Sequence, residues 1–327
     1  MTDLYLHSLA FHTPEKVVSN DDLSKTVDTN DEWIRTRTGI RKRHVAQAGE
    51  NTSDLATKAA LQALKNAGTD ASELTHVIVA TGTQDNLSPS VACIVASNIG
   101  AGHVMAFDFS AACSGFIYGL TICRSFLCAD PKAKILLVCA EVLTRRLDWQ
   151  DRTTCVLFGD GAGALVVSAD SENALARLED IQCMSDGDAR DLIIVGGGTA
   201  CSYQKGDPVD SCFFLRMNGR ETYKYAVRSM SSICHDILEK NSYSIDDVDL
   251  LVAHQANIRI IQAVGERLKI SEDRVFTNLA EYGNTSSASI PIALSEAYAQ
   301  DRIQPGSLVL TTAFGSGLTW GGALLRF

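Results

Sequence analysis

The stretch DFSAACSGFIYGL, residues 108–120, places one cysteine among alanine, serine and glycine, between an apolar segment and an amphipathic one. The small neighbours of Cys113 permit a sharp strand-to-helix turn that leaves its side chain exposed. A thiol at a helix N-terminus lies at the positive end of the helix dipole, which lowers its pKa and favours the thiolate. Most cysteines, however, are small core residues. The stretch alone leaves both interpretations of Cys113 open.

On both sides of this stretch, apolar β-branched runs alternate with helical patterns. The runs predict four buried strands, at Thr75–Gly82, Lys134–Glu141, Gly163–Ser168 and Asp249–His254. Apolar residues at helical spacing predict three helices, at Ser53–Gly68 (capped by Ser53 and closed by Gly68), Arg220–Asn241 and Ile258–Leu268. The glycine-rich segment Ser185–Met217 predicts a loop. The pattern therefore indicates an α/β fold with largely buried sheets.

The two halves of the chain resemble each other at an offset of about 174 residues. Thr75–Ala80 matches Asp249–His254, and KILLVCAE (134–141) matches SLVLTTAF (307–314). GDGAGALVVS (159–168) resembles GLTWGGALLRF (317–327) at a shorter offset. Carrying Cys113 forward by 173 residues reaches Ser286, where small residues again precede a helix. This pattern indicates an internal duplication, with an active site where the halves meet.

Composition narrows the class of protein. The chain has 327 residues, 46% of them hydrophobic, which is enough for two packed halves. A net charge of −10 disfavours nucleic acid as a partner.

Cysteine usage and the N-terminus indicate the compartment. The ten cysteines form no C-x-x-C pair and show no Cys/His metal spacing, so we expect no metal site, mostly free thiols and small buried cysteines. The N-terminal sequence lacks the features of a signal peptide, and no run of eighteen apolar residues occurs. We therefore expect a cytoplasmic protein without a membrane span.

Three further segments carry candidate chemistry, each with an ordinary structural alternative. His254 ends a predicted strand at a sheet edge, where α/β sites collect, or is a buried hydrogen-bonded histidine. Asn284 is a polar site residue or a helix N-cap. The loop Phe314–Gly317 can aim backbone N–H groups at an oxyanion.

A basic segment stands out in this acidic chain. Five Arg or Lys residues lie between Arg35 and Arg43, close to Trp33. An aromatic face with guanidinium groups suits a nucleobase and phosphates. A solvated charged edge is the alternative.

Together these stretches resemble β-ketoacyl-acyl carrier protein synthase III, the initiating condensing enzyme of fatty-acid synthesis. The resemblance runs from DEWIRTRTGI through AACSGF, FGDGAGA, HQANIRI and GNTSSASIP to TWGGALLRF. It implies a duplicated thiolase-like five-layer α-β-α-β-α sandwich. We expect residues 1–170 to form the half with the nucleophile and residues 171–327 the half with the histidine and asparagine.

The resemblance also implies a reaction and its residues. Cys113 would take an acyl group from acyl-CoA, and His254 and Asn284 would stabilise the enolate formed when malonyl-ACP loses carbon dioxide. The backbone N–H groups of Cys113 and Ser316 would form the oxyanion hole. No cofactor is implied, since acyl-CoA is a substrate. The CoA-binding residues would be Thr29, Trp33, Arg37, Arg152, Arg220 and Asn257, with Trp33 and Arg152 sandwiching the adenine.

The same resemblance also implies which residues bind the carrier protein, a second subunit and the acyl chain. Gln255, Ala256, Asn257, Ile258 and Arg259 would meet acyl carrier protein, and the chain would form a homodimer. Ser88, supplied by the partner, would end the acyl pocket together with Met217 and Phe314. Because serine is small, we expect primers longer than acetyl to fit.

The sequence departs from the family pattern at two positions and leaves other functions open. Ser316 stands where glycine is commoner, and Arg220 where some members carry asparagine. The alternatives are a related enzyme that loads other acyl or aroyl starters in secondary metabolism, of quinolone or polyketide type, a silent partner subunit, and a Cys–His hydrolase.

Overall fold

The structure of the chain, a computed structural model, describes residues 2–201 and 212–327. The strands in this part are β1 (Leu4–Leu6), β2 (Ala10–His12), β3 (Val17–Ser19), β4 (Lys42–His44), β5 (His76–Ala80), β6 (Met105–Phe109), β7 (Lys134–Glu141), β8 (Gly161–Ser168), β9 (Ala176–Ser185), β10 (Ile193–Ile194), β11 (Arg216–Met217), β12 (Leu250–Ala253), β13 (Leu308–Gly315) and β14 (Thr319–Arg326). The α-helices are α1 (Asn20–Leu23), α2 (Asp31–Thr38), α3 (Thr52–Ala67), α4 (Val91–Asn98), α5 (Gly115–Ala129), α6 (Gly219–Lys240), α7 (Ile258–Leu268), α8 (Leu279–Tyr282) and α9 (Ser289–Ala299). Short 3₁₀ helices lie at Ala71–Glu73, Ala112–Ser114, Leu143–Arg146, Gly187–Leu192, Ile245–Asp247, Glu272–Arg274 and Ser286–Ala288.

Ten strands are joined by hydrogen bonds. Nine of them follow the order β12-β13-β14-β9-β1-β8-β7-β5-β6, and the tenth, β2, pairs with β8 beside this path. The pairing of β1 with both β8 and β9 joins the strands of the two halves of the chain. Two short pairs, β3 with β4 and β10 with β11, lie apart from this path.

Strand pairing repeats between the halves. In the first half β5 is parallel to β6 and β7, and β7 is antiparallel to β8. In the second half β12 is parallel to β13, which is antiparallel to β14, and an isolated parallel bridge from Leu251 to Val275 takes the place of the β5–β6 pair. β5 and β12 begin 174 residues apart, at His76 and Leu250, as do β7 and β13. This topology supports the internal duplication read from the sequence.

The turns before the two central helices are equivalent as well. Ala112 and Ser286 each begin a 3₁₀ turn, with left-handed φ values of 46° and 51°. The residues 174 apart are therefore Ala112 and Ser286, so Cys113 corresponds to Ser287. The predicted partner of Cys113, Ser286, was wrong by one residue, because a match of small residues without the backbone does not fix the register.

Helices and sheets alternate in five layers. Helices α3 and α4 cover the first-half strands, α6 and α7 cover the second-half strands, and α5 and α9 lie between the two sets. Apolar side chains of each strand alternate between two clusters: Ile78 faces the central helices, whereas Val77 faces α3 and α4. Each fully buried aliphatic side chain of this kind contributes roughly 1.5–3 kcal/mol. Burial on both faces explains the continuous apolar runs in the sequence.

One segment of the described chain, Ala112–Ala129, has the length and hydropathy of a membrane-crossing helix. It contains α5, which packs against strands of both halves. Its place in the central layer accounts for its apolar composition.

The predicted elements are present with small shifts at their ends. The helix predicted from Ser53 begins at Thr52, and its N-cap is Asn51, which forms a capping box with Asp54. The predicted cap was wrong, because the Ser53 hydroxyl donates instead to Asp85 at 2.6 Å. Gly68 closes the helix in a left-handed conformation, as expected. Within the predicted loop at 185–217, the described residues add a 3₁₀ helix and the β10–β11 pair.

The cysteines differ in part from expectation. Eight are free thiols, but Cys201 and Cys212 form a disulfide. Cys93 and Cys128 are exposed, so the expectation of uniformly buried cysteines was wrong. Cys93 lies in the first turn of α4 and Cys128 in the last turn of α5, so both are at helix ends that reach the surface.

Candidate active site

One cavity of about 670 Å³ collects most of the predicted site residues. It extends from exposed arginines, among them Arg37 and Arg259, to the buried side chains of His254 and Asn284. Cys113 also lines this cavity. The apolar lining between them includes Leu143, Val156, Leu157, Phe158, Val195, Leu215, Met217 and Phe314.

Cys113 lies in the tight turn between β6 and α5. Ala112 takes the left-handed conformation that turns the chain sharply. Gly115 then opens the helix in close contact with the second half, because a Cβ there would lie 2.8 Å from the Cβ of Ser287. The predicted strand-to-helix turn is confirmed, and it packs against its counterpart in the second half. Cys113 lines the cavity but is partly buried, so the predicted exposure of its side chain was wrong.

The protonation of the Cys113 thiol differs from expectation. Burial raises its pKa to about 12, a hydrogen bond with Ser286 lowers the pKa, and the nearby carboxyl of Glu141 raises it. The predicted lowering of the thiol pKa was wrong, because the cost of desolvating the thiolate exceeds what the dipole of α5 can supply. The resting thiol is therefore protonated and must lose its proton when it reacts.

His254 follows β12 and is only 3% exposed. Its Nδ1 is 2.6 Å from the Ser289 hydroxyl, whose oxygen also accepts the Gln255 backbone N–H at 3.3 Å. We infer that the Ser289 proton is donated to Nδ1, which leaves the imidazole hydrogen on Nε2. Burial lowers the pKa of His254 to about 3, so the ring is neutral at pH 7. The residue is thus the buried, hydrogen-bonded histidine of one interpretation, and it also lines the cavity, as the other requires.

Asn284 is fixed by its own backbone and side chain. Its N–H donates to Leu157 and its C=O accepts from Gly159, at 2.8 and 3.1 Å. Its Oδ1 accepts the Ser286 N–H at 2.8 Å, two residues ahead, which stabilises the turn. The residue at the N-cap of the following 3₁₀ helix is Thr285, so the N-cap interpretation of Asn284 was wrong. Asn284 lines the cavity, and its Nδ2 group is left to donate there.

The loop after β13 passes close to the Cys113 backbone. A Cβ on Gly315 would lie 2.7 Å from the Cys113 nitrogen, so this close approach requires glycine. The left-handed backbone of the loop falls at Gly317, with φ 139°, and not at Ser316. The serine therefore introduces no backbone strain. Its hydroxyl donates to the Ile193 carbonyl at 2.6 Å and ties the loop to β10.

Trp33 on α2 lies between two guanidinium groups. Arg37 and Arg152 lie over its ring, 4.7 and 5.2 Å from the centroid. Arg152 also donates to the Asp28 carbonyl at 2.9 Å. Trp33 and Arg152 are thus already in contact, and an adenine between them would have to displace Arg152.

The other predicted CoA residues fall into two groups. Arg220 and Asn257 line the cavity with Trp33 and Arg37. Asn257 also caps α7 and donates to the Arg37 carbonyl at 3.2 Å. Thr29 precedes α2 and is not a lining residue, and its buried hydroxyl oxygen has no hydrogen-bond partner among the described residues.

The predicted carrier-protein segment is only partly exposed. Gln255 is 1% exposed, and its amide bonds to the backbone of Ala253, Phe276 and Asn278. Its side chain therefore supports the motif and is not available to a docked protein, which corrects the prediction for this residue. Ala256, Asn257 and Ile258 are half-buried, and Arg259 is exposed.

The predicted acyl-pocket residues do not all meet within one chain. Met217 and Phe314 line the cavity, whereas Ser88 lies on an exposed loop and does not. Its neighbour Leu87 is 91% exposed.

Sequence reasoning missed three polar residues behind the site: Glu141, Ser286 as a partner of the thiol, and Ser289. Ser286 and Ser289 lie within the quoted motif GNTSSASIP, but serines there are hard to distinguish from one another. Glu141 ends an apolar run, and a carboxylate at the end of a predicted buried strand could have marked it as a candidate site residue.

Cys113, His254 and Asn284, brought to one cavity by a duplicated five-layer fold, define a thiolase-like condensing enzyme. Comparison with known families agrees. Residues 107–187 match the family described as 3-oxoacyl-[acyl-carrier-protein] synthase III, and residues 238–327 match its C-terminal part. The chain belongs to the β-ketoacyl-[acyl-carrier-protein] synthase III family and is an acyl-transferring condensing enzyme.

Individual relatives cover nearly the whole chain. The β-ketoacyl-[acyl-carrier-protein] synthase III of Nitratidesulfovibrio vulgaris (Miyazaki F) is 55% identical over 97% of this chain and 95% of its own. The crystal structure of the synthase III of Aquifex aeolicus VF5 is similar with a TM-score of 0.91, 44% identity, and coverage of 99% and 100%. The priming β-ketosynthase of the R1128 polyketide pathway is similar at a TM-score of 0.90, 31% identity, and coverage of 99% and 96%. The predicted fold is confirmed.

Proposed function

We propose that this chain condenses an acyl-CoA primer with malonyl-ACP, releasing carbon dioxide, to give a β-ketoacyl-ACP that initiates fatty-acid synthesis. One observation carries the proposal: a buried thiol shares a cavity with two neutral donors, His254 and Asn284. A decarboxylating reaction needs donors for an enolate oxygen and no base for a carbon-bound proton. A non-decarboxylating condensation would need such a base, commonly a second cysteine, and Cys113 is the only cysteine among the lining residues that the structure describes.

In the first step, the Cys113 thiolate attacks the acyl thioester and expels CoA. The oxyanion of the tetrahedral intermediate would be held by the backbone N–H groups of Cys113 and Ser316. The close approach of Gly315 to the Cys113 nitrogen supports this assignment, since it places residues 315–316 beside the nucleophile.

In the second step, malonyl-ACP loses carbon dioxide and its enolate attacks acyl-Cys113. The enolate oxygen would accept hydrogen bonds from His254 Nε2 and Asn284 Nδ2. Both groups are neutral and held by other partners, so they are oriented before the charge develops.

The two substrates would use the open end of the cavity. We assign CoA to Trp33, Arg37, Arg220 and Asn257, with Arg152 closing over the adenine, and keep Thr29 as a contact just outside. Arg259 is exposed at the cavity and suits the acidic surface of the carrier protein. Ala256, Asn257 and Ile258 would complete that docking surface.

We propose that the working unit is a homodimer. β6 ends the sheet, and Met105 on it is 51% exposed. An apolar edge strand is suited to pairing with a second copy. In such a dimer the exposed Leu87–Ser88 loop would reach the partner's cavity and close it beside Met217 and Phe314. The mainly apolar lining supports primers longer than acetyl.

Three remaining assignments complete the proposal. The halves would divide at residues 1–170 and 171–327, in the loop between β8 and β9. We place the enzyme in the cytoplasm. The presence of Cys113, His254 and Asn284 at one site argues against a silent partner subunit.

The proposal is tested by intact-mass spectrometry after incubation with acetyl-, butyryl-, hexanoyl- and octanoyl-CoA. We expect one acyl group on the wild type, none on Cys113→Ala, and one on Cys93→Ser, which removes an exposed thiol instead. Acylation of Cys113→Ala would overturn the assignment of the nucleophile.

A further inference from the structure

Glu141 is a buried carboxyl group directly behind the nucleophile. It ends β7, is 1% exposed, and lies close enough to Cys113 to affect its thiol. It accepts hydrogen bonds from the Thr83 hydroxyl at 2.7 Å and from the Gly82 N–H. Its Oε1 is 3.3 Å from the hydroxyls of both Ser286 and Ser287. Every hydrogen-bond partner that the described part of the chain gives this carboxyl is uncharged.

Ser286 connects this carboxyl to the thiol. Its hydroxyl donates to Glu141 Oε1 at 3.3 Å, and Ser286 and Cys113 line the same cavity. Ser286 is close enough to the thiol to lower its pKa. It holds this position with a left-handed φ of 51°, a costly conformation for serine that persists where surrounding structure enforces it. Ser287 bonds to the same carboxyl oxygen but is not a lining residue, and its hydroxyl also bonds to Ala80.

The reaction requires a destination for the thiol proton. The His254 ring is neutral, and its Nδ1 is occupied by Ser289, so it is a poor acceptor. The titratable groups facing Glu141 are the thiols of Cys113 and Cys139, whose pKa values are both raised. Burial raises the pKa of Glu141 itself to about 7, the range in which a carboxyl accepts and returns protons at neutral pH.

We propose that Glu141 accepts the proton of Cys113 through the Ser286 hydroxyl when the thiol attacks acyl-CoA. The thiol proton passes to Ser286 Oγ while the Ser286 proton passes to the carboxylate. The thiolate then forms the new C–S bond, and CoA leaves as a thiolate that takes a proton from water. After condensation, Cys113 is expelled as a thiolate and recovers its proton from Glu141 by the same path. The distances of 3.3 Å are those of the site without substrate, and hydrogen bonds used in catalysis are often long until substrate binds.

This relay deepens the acyl-transfer role proposed above, and its test is independent of acyl-CoA and malonyl-ACP. The rate of Cys113 alkylation by iodoacetamide, followed by intact mass from pH 5.5 to 9, measures thiolate formation in the free enzyme. For the wild type we expect the rate to rise to a plateau with an inflection near pH 7, which belongs to the coupled pair. Glu141→Gln and Ser286→Ala should lose the inflection and react at least tenfold more slowly at pH 7.5.

Two outcomes separate the relay from simpler roles. Ser287→Ala, which loses an equal hydrogen bond to Glu141, should stay within twofold of wild type. If Glu141 acted only by its charge, Glu141→Gln would speed alkylation, because the nearby carboxyl raises the pKa of the thiol. Faster alkylation of Glu141→Gln, or a retained inflection in Ser286→Ala, overturns the relay even where acyl transfer itself is intact.

Discussion

Asn284 performs two tasks with two different atoms, and they can be separated. Its Oδ1 accepts the Ser286 N–H, and its Nδ2 is the proposed donor to the enolate. Asn284→Asp keeps an oxygen to accept this N–H but replaces the donor by a second oxygen. Asn284→Ala removes both groups.

The expected magnitudes follow from these contacts. Loss of one donor to a developing oxyanion raises the barrier by about 3–4 kcal/mol, or roughly 10²–10³ in rate. Loss of the hydrogen bond from the Ser286 N–H costs about 1 kcal/mol of stability. At pH 8 the aspartate, which accepts the Ser286 N–H, is ionised and cannot donate. Asn284→Asp should therefore lose decarboxylation and keep the stability that Asn284→Ala loses.

The assay measures the two half-reactions separately. Acylation by acyl-CoA, followed by intact mass, should stay within about threefold of wild type in both variants. Carbon dioxide release from malonyl-ACP by the pre-acylated enzymes should fall by roughly 10²–10³. His254→Ala should show the same division. Normal decarboxylation by Asn284→Asp would refute the enolate assignment, and an equal loss in both half-reactions would indicate a structural role.

Other predictions concern specificity, docking and pH. Wild-type kcat/KM for butyryl- to octanoyl-CoA should lie within tenfold of that for acetyl-CoA. Ser88→Phe should lower kcat/KM only for the longer primers, by about fourfold per methylene that no longer fits. A strong preference of the wild type for acetyl-CoA would contradict an open pocket. Arg37→Ala should raise KM for acyl-CoA, and Arg259→Ala should raise KM for malonyl-ACP and weaken its salt dependence; equal effects on both substrates would remove this division. The pKa of Glu141 is about 7 in the folded state and 4.5 in the unfolded chain, so the folded state binds this proton more tightly. As the pH rises from 4.5 to 7, this group therefore lowers the free energy of unfolding by about 3 kcal/mol. Denaturant unfolding of Glu141→Gln at several pH values should show a free energy of unfolding that lacks this part of the pH dependence. A pH dependence equal to that of the wild type would contradict the raised pKa of Glu141.

The layers of the fold, and the three side chains proposed to react, could be predicted well from the sequence. Both faces of β7 are buried, so its residues 135–140 are all apolar and predict a buried strand. Cys113 and His254 each follow a strand, β6 and β12, whereas Asn284 follows the short helix α8, so its place at the site came only from the resemblance.

Properties that depend on three-dimensional neighbours were not predictable in the same way. The pKa of Cys113 depends on burial that a helix-dipole argument omits. The capping of α3 depends on Asp85, which draws the Ser53 hydroxyl away. The burial of Gln255 depends on the backbone of Phe276 and Asn278, which is distant in sequence.

The most direct test of the central claim measures carbon dioxide, CoA and β-ketoacyl-ACP together, from purified protein supplied with acyl-CoA and malonyl-ACP. The account predicts that all three products appear in equal amounts with the wild type, and that Cys113→Ala forms no β-ketoacyl-ACP. Formation of β-ketoacyl-ACP by Cys113→Ala, or release of CoA and free acid by the wild type without carbon dioxide, would contradict it.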